Sequence, residues 1–309
     1  MTFIIAEVGS NWNSFEDCSN SIVMAKNVGA DACKFQLFNG EDLYGQPAEV
    51  KGQLPDGWVS QLKIKADACG IEFMVTAFSE RGLDIIDPYV KRHKIPSSLA
   101  NHPPFIEAVK AKGKPIIAST GGLSWPEICS LVEMLYGSSY ALLYCVSSYP
   151  SEDVDLESIE FMMANLKGNP NVGYSCHMAD YTAALAAVRK YGATILEKHF
   201  KLRDDMNTPD SPHSLTPERF KEMVKRIRGE YGTIFPARSE DAFCITAKSR
   251  CVATCDINSG EELVYGTNYG FFRTLKPDAL ALTPYVPVNG RKAARDIKCG
   301  NGIGIMDLV

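Results

Sequence analysis

Apolar and polar positions follow two alternating rhythms over the first 230 residues of this chain. Short runs rich in Ile, Val, Phe and Ala read as buried strands, and they are separated by stretches with a 3.6-residue period. Strand patterns fall at residues 3–8, 32–38, 72–76, 93–97, 115–119, 140–146, 172–175 and 194–199. Helical patterns follow at 17–28, 56–69, a segment running through Leu83, 105–112, 125–135, 156–164, 181–191 and 217–228. Gly29 and Gly70 stop the first two helices. Eight strand–helix repeats predict a (β/α)8 barrel, an α/β fold that typically takes about 250 residues. The rival is an open doubly wound sheet. The regularity of the eight units, and the lack of a Gly-x-Gly-x-x-Gly loop after the first strand, favour closure.

The texture changes after residue 230. Residues 231–248 are irregular and read as a linker, and residues 249–309 as a small, mostly β second domain. Strands are expected at 250–253, 256–260 and 262–265, and within 292–309. An Asp-Ile-x-x-Gly segment occurs twice there, at Asp256–Gly260 and Asp296–Gly300. It is either a true repeat or two unrelated turns after strands.

Composition narrows the function. Apolar residues make up 45% of the chain and charged residues 22%, as in ordinary globular proteins. A net charge of −5 argues against a nucleic-acid partner, and no apolar run approaches a membrane span. The N-terminus leads straight into a strand and lacks a signal-peptide pattern. The 10 cysteines are scattered without a Cys-x-x-Cys pair. They are expected to be buried free thiols in a reducing, cytoplasmic setting.

Chemistry concentrates where the strands end, which in such barrels is the catalytic face. Two strand-like runs each end in a histidine, His177 and His199, with an alanine-rich helix between them. A strand–helix–strand unit of that length delivers both imidazoles to one sheet edge, where they either share a metal or serve as separate hydrogen-bonded residues. The other strand ends offer Glu7, Lys34, Gln36, Thr76, Lys94, Ser97, Ser119, Ser147, Tyr149, Ser175 and Glu197. Two lysines, several hydroxyls and the Gly121-Gly122 turn suit a phosphate-type anion. With the Glu7 carboxylate and a histidine pair, the set fits a metal-assisted carbonyl reaction on a phosphorylated substrate.

The chain resembles the sialic acid synthase family almost end to end. The motifs in order are Ile5–Asn11, Ala25–Gln36, Lys94–Ser97, Ser119–Gly121, Tyr144–Pro150, Gly173–His177, Glu197–Phe200 and Pro209-Asp210. The C-terminal region is similar to the antifreeze-like (SAF) domain of these enzymes. The resemblance implies a transferase that condenses phosphoenolpyruvate with an N-acetylated hexosamine and releases phosphate, forming a nonulosonic acid. It implies a divalent metal at His177 and His199, usually Mn2+, with Mg2+ or Co2+ as alternatives. Lys34, Thr76, Lys94, Ser97, Ser119, Ser147 and Ser175 would hold phosphoenolpyruvate, Glu7 would transfer protons, and Tyr149 and Asp210 would contact the sugar. Arg273 matches an SAF arginine that reaches the partner's active site in a domain-swapped homodimer. A metal-dependent aldolase on the same barrel and a silent sugar-binding paralogue are the competing readings.

Departures cluster on the sugar side. Cys176 replaces an aspartate before the metal histidine, so a thiol either leaves the imidazole without its orienting carboxylate or joins the metal itself. Trp12, Ser14, Leu99 and Ser147 replace a histidine, a glycine, a glutamate and an asparagine. His213, near the expected sugar loop, reads as a surface-loop histidine that could also contact substrate or metal.

Overall fold

Eight parallel strands pair in chain order and close into a barrel. They are β1 (Phe3–Gly9), β2 (Ala32–Leu37), β3 (Glu72–Ala77), β4 (His93–Ile95), β5 (Ile116–Ser119), β6 (Tyr140–Cys145), β7 (Asn171–Cys176) and β8 (Ile195–His199). The computed structural model describes residues 1–168, 170–229, 249–273 and 288–309, so the expected linker at 231–248 lies outside the described residues. The chain divides into two compact units, Met1–Tyr231 and Gly232–Val309. No helix among the described residues is long and apolar enough to cross a membrane.

Helices α1 (Phe15–Asn27), α3 (Trp58–Cys69), α4 (Glu80–Ile86), α5 (Pro103–Ala111), α6 (Trp125–Leu135), α7 (Glu157–Asn165), α8 (Thr182–Arg189) and α9 (Pro217–Ile227) each follow one strand. A short α2 (Gly40–Tyr44), capped by Asn39 with Asp42, lies between β2 and α3 and was not expected. Ser14 accepts a bond from the Asp17 N–H and caps α1, which accounts for a serine there. Trp12 packs edge-on against Trp58 and donates its indole N–H to the Gly9 carbonyl. The fourth strand stops at Ile95, short of the expected residue 97, because Pro96 has no N–H for the ladder.

The period of two along each strand sorts the barrel interior into levels. Ile5, Ala32, Met74, Ile117, Ala141, Leu143 and Ile195 form an apolar cluster at the amino-terminal level. Two residues on, the same inward parity brings Glu7, Lys34, Thr76, Ser119, Cys145 and Glu197 to the carboxyl-terminal level. The apolar plug supports a polar floor, and that floor is where chemistry can occur.

The second unit has its own core of Cys251, Ala253, Ile257, Leu263, Tyr269, Val288, Ala293, Ile297 and Ile303. Its regular strands among the described residues are β9 (Ser249–Ala253) and an unexpected β10 (Tyr269–Arg273), which pair antiparallel. The strands expected at 256–260 and 262–265 are single bridges, Ile257 with Ile297 and Glu262 with Lys292. The two Asp-Ile-x-x-Gly segments meet each other. Ile257 and Ile297 exchange both backbone hydrogen bonds at 2.8 Å. Asp256 accepts from the Cys299 N–H at 2.9 Å, and Asp296 from the Ser259 N–H at 2.8 Å. The repeat is therefore real, and each aspartate secures the other copy's turn. Asp296→Ala is expected to cost about 1 kcal/mol locally and to speed exchange of the Ser259 amide about fivefold, measured by hydrogen–deuterium exchange. The described cysteines are all free thiols, but Cys255 and Cys299 are exposed, so uniform burial does not hold in this unit.

Candidate active site

The polar floor opens into a cavity of about 500 Å³ at the carboxyl ends of the strands. Glu7, Lys34, Thr76, Lys94, Ser97, Ser119, Ser147, Tyr149, Ser175, His177, His199 and Asp210 all line it. Arg273 belongs to the second unit, where only its backbone, in β10, is described.

At the centre, two buried lysines and two buried carboxylates share charge. Lys34 Nζ lies 2.7 Å from Glu7 Oε2 and 3.5 Å from Glu197 Oε2, and it donates to Thr76 Oγ1 at 3.0 Å. Lys94 Nζ donates to Ser119 Oγ at 2.7 Å and stands 3.9 Å from Glu197 Oε1. Gln36 donates to Glu7 Oε1 at 2.8 Å, and Ser175 to Glu197 Oε1 at 3.2 Å. Glu197 is a strand-end residue with no site role in the sequence reading. Its parity with His199, two residues on, is the signal that could have assigned one.

The environments push these groups apart. Burial raises Glu7 to about 7, with the nearby Glu197 charge adding to the rise and Lys34 opposing it. Burial also works against the Glu197 carboxylate, but Lys34, Lys94 and His177 outweigh it and hold Glu197 below the usual range. Burial opposes the Lys34 ammonium, which Glu197 and Glu7 nevertheless hold above its ordinary value. Burial leaves Lys94 lowered, since Glu197 compensates only in part. Two carboxyls split in this way can act as one proton donor and one fixed anion.

Gly121 allows the wall of the cavity to close. Its N–H donates to Ser97 Oγ at 3.1 Å, and a Cβ there would lie 2.3 Å from Ser147 Oγ. Gly9 does the same on the opposite side. Its φ of +54° is left-handed, and a Cβ would sit 2.2 Å from Asp210 Oδ2. Asp210 Oδ2 accepts from the Ser10 N–H at 2.8 Å, and Ser10 Oγ accepts from the Asp210 N–H at 3.2 Å.

Three histidines gather beside Asp210. Ring centroids are 5.6 Å apart for His177 and His199, 4.4 Å for His199 and His213, and 6.2 Å for His177 and His213. His213 is not a surface residue. The loop after β8 folds it inward through the turn Ser211–His213, and it is 1% exposed. His177 is oriented by a Val146 carbonyl 2.7 Å from Nδ1, which does the orienting that a neighbouring carboxylate would do. Cys176 lies on the outer face of β7 by strand alternation, with the Asp180 carbonyl 4.0 Å from its sulfur. The thiol is therefore not a ligand. Burial lowers His177 and His213 to about 4 each and His199 well below the ordinary histidine value, so all three are neutral near pH 7 and offer lone pairs. Burial raises Asp210.

The donor set fits a divalent cation. His199 Nδ1 is buried without a hydrogen-bond partner, as are both ring nitrogens of His213. Ligand atoms of His199, Asp210 and His213 lie within 4.8 Å of one another. His177 stands beside this trio rather than within it.

The NeuB family profile matches residues 21–232, more than half of the chain. The chain belongs to the NeuB family. It is 33% identical to the N,N'-diacetyllegionaminic acid synthase of Legionella pneumophila, over 73% of this chain and 71% of that protein. It is 30% identical to a pseudaminic acid synthase of Campylobacter jejuni, over 99% of this chain and 96% of that protein. Among solved structures, it is similar to the N-acetylneuraminic acid synthetase of Leptospira borgpetersenii in complex with citrate. That match has a TM-score of 0.70 and 28% identity, over 78% of this chain and 90% of that one. The site of this NeuB protein is thus a barrel mouth with a cationic, hydroxyl-rich floor and a histidine-rich flank.

Proposed function

We propose that this NeuB protein is a nonulosonic acid synthase that condenses phosphoenolpyruvate with the open-chain aldehyde of an N-acetylated or di-N-acetylated hexosamine. The observation that carries this reading is the convergence of Lys34 and Lys94 with Thr76, Ser97, Ser119, Ser147 and Ser175 on one cavity. Two ammonium groups ringed by hydroxyl donors match an anion with both carboxylate and phosphate groups. Tyr149 and Asp210 would contact the sugar at the rim.

In the reaction, C3 of phosphoenolpyruvate bonds to the aldehyde carbon, water oxygen bonds to C2, and the C2–O bond to phosphate breaks. Glu7, half-protonated near pH 7, gives a proton to the aldehyde oxygen as the first bond forms, then takes one from the attacking water. Glu197 stays ionised and stabilises positive charge as it develops at C2. A divalent cation at His177 and His199, Mn2+ in preference to Mg2+ or Co2+, would polarise the aldehyde. The second unit would serve as an SAF domain, with Arg273 reaching the partner's site in a swapped homodimer.

The test is incubation with phosphoenolpyruvate, Mn2+ and a panel of N-acetylated and di-N-acetylated hexoses, with released phosphate measured. Phosphate release that requires both the sugar and the metal is the expected result. Turnover without phosphoenolpyruvate would point to an aldolase, and no phosphate with any acceptor would remove the synthase reading.

A further inference from the structure

We infer that His213 and Asp210 join His199 as direct ligands of the bound cation, so that the ion is centred on this trio and selected for transition metals over Mg2+. This rests on the metal-assisted reading above and changes which residues hold the ion.

The surroundings of His213 are unbalanced. The backbone on both sides of the ring is tightly held. Buried Lys198 donates to the His213 carbonyl at 2.9 Å and also to the Met178 carbonyl. Ser214 Oγ donates to the Asp210 carbonyl at 2.6 Å, and Asn11 donates to Ser214 Oγ at 2.7 Å. Ser211 Oγ donates to the Met206 carbonyl at 2.6 Å. The imidazole held by this framework has no hydrogen bond at either nitrogen, though it is 1% exposed. A core histidine ordinarily satisfies at least one ring nitrogen, because an orphaned buried polar atom loses its bonds to water and gains none in return. A framework that fixes the ring while leaving both nitrogens free suits a residue whose partner is a bound ion.

Asp210 supplies the complementary atoms. Its Oδ1 stands 3.7 Å from His213 Nε2 and its Oδ2 3.7 Å from His199 Nδ1. Both separations are too long for hydrogen bonds. Atoms bound to one ion at about 2.0–2.2 Å stand about 3–3.5 Å apart, so at 3.7 Å the carboxylate needs only a small side-chain adjustment to share an ion with each ring. Asp210 is itself fixed by Ser10, and Gly9 makes room for it. Two imidazoles and one carboxylate form a nitrogen-rich set that suits a first-row transition ion, Mn2+ included, better than Mg2+, with positions left open for substrate oxygens.

The experiment uses the full-length, chelator-stripped protein titrated with Co2+, followed by calorimetry and by the visible absorption of the bound ion. Wild type is expected to bind Co2+, and excess Mg2+ is expected not to displace it. His213→Gln and Asp210→Asn are each expected to weaken Co2+ binding about tenfold or more and to change the absorption bands. Circular dichroism and metal-free melting check that the variants fold, and the upward melting shift caused by Co2+ should shrink in both. Wild-type affinity and spectrum in both folded variants, with loss confined to His177→Gln, would overturn the trio while leaving the synthase reading intact. Absence of Co2+ binding by wild type would overturn the trio together with the metal role proposed for the site. Phosphate release then tests separately whether the condensation itself occurs.

Discussion

Replacing Lys34 with methionine is expected to abolish turnover and to destabilise the barrel. Lys34 Nζ lies within ion-pair distance of two buried carboxylates, Glu7 and Glu197, and its side chain is 3% exposed. Removing one partner from a buried ion pair costs about 3–5 kcal/mol, because the remaining charge keeps its desolvation penalty. Here two carboxylates would be left with Lys94, 3.9 Å from Glu197, as the nearby ammonium. A denaturant melt should show the loss as a lower midpoint. The double variant Lys34→Met, Glu7→Gln should recover part of it, since one of the uncompensated charges is then gone. Turnover should not recover. A lost preorganised charge at a reacting anion costs about 100- to 1,000-fold, and the double variant also lacks the proton-transfer group. Equal stability of wild type and Lys34→Met would show that the carboxylates are not held as ions by this lysine.

The second large effect is at Glu7. If the neutral carboxyl starts the reaction, kcat/KM for phosphoenolpyruvate should be level at acid pH and fall as pH rises through about 7. The sign follows from the raised value. Below it Glu7 carries the proton it must donate, and above it the proton is lost. Glu7→Gln should lower kcat by about 100- to 10,000-fold and remove that descending limb, while Gln36 and Lys34 remain in place. A pH–rate profile of the variant that keeps the same limb would assign the titration to another group.

Much of this arrangement was legible in the sequence for a simple reason. A charged residue inside an apolar strand, such as Lys34 between Cys33 and Phe35, has few places to go except the mouth of a closed barrel. Lys94 and Glu197 carry the same signal. His213 was visible as a possible contact to substrate or metal, but its burial was not legible, because its position depends on a short turn and on Lys198 reaching across 15 residues of sequence to the His213 carbonyl. No periodicity records such a tether. The second unit was half legible. The repeated Asp-Ile segments stood out, but their pairing with each other runs through single bridges that leave no strand-length pattern.

The stapling of Asp210 to Ser10 also bears on how molecules come and go. On that side of the barrel mouth Asn11, Thr208, Ser211, His213 and Ser214 are all buried. After β6, Ser147, Ser148 and Tyr149 are exposed, with the Tyr149 ring 5.2 Å from that of His213. Within the barrel unit the fixed wall therefore gives way, at Tyr149, to an open threshold. Traffic into and out of the cavity should pass over Tyr149, so the first portion of an acceptor to be sampled would be the end that meets this tyrosine.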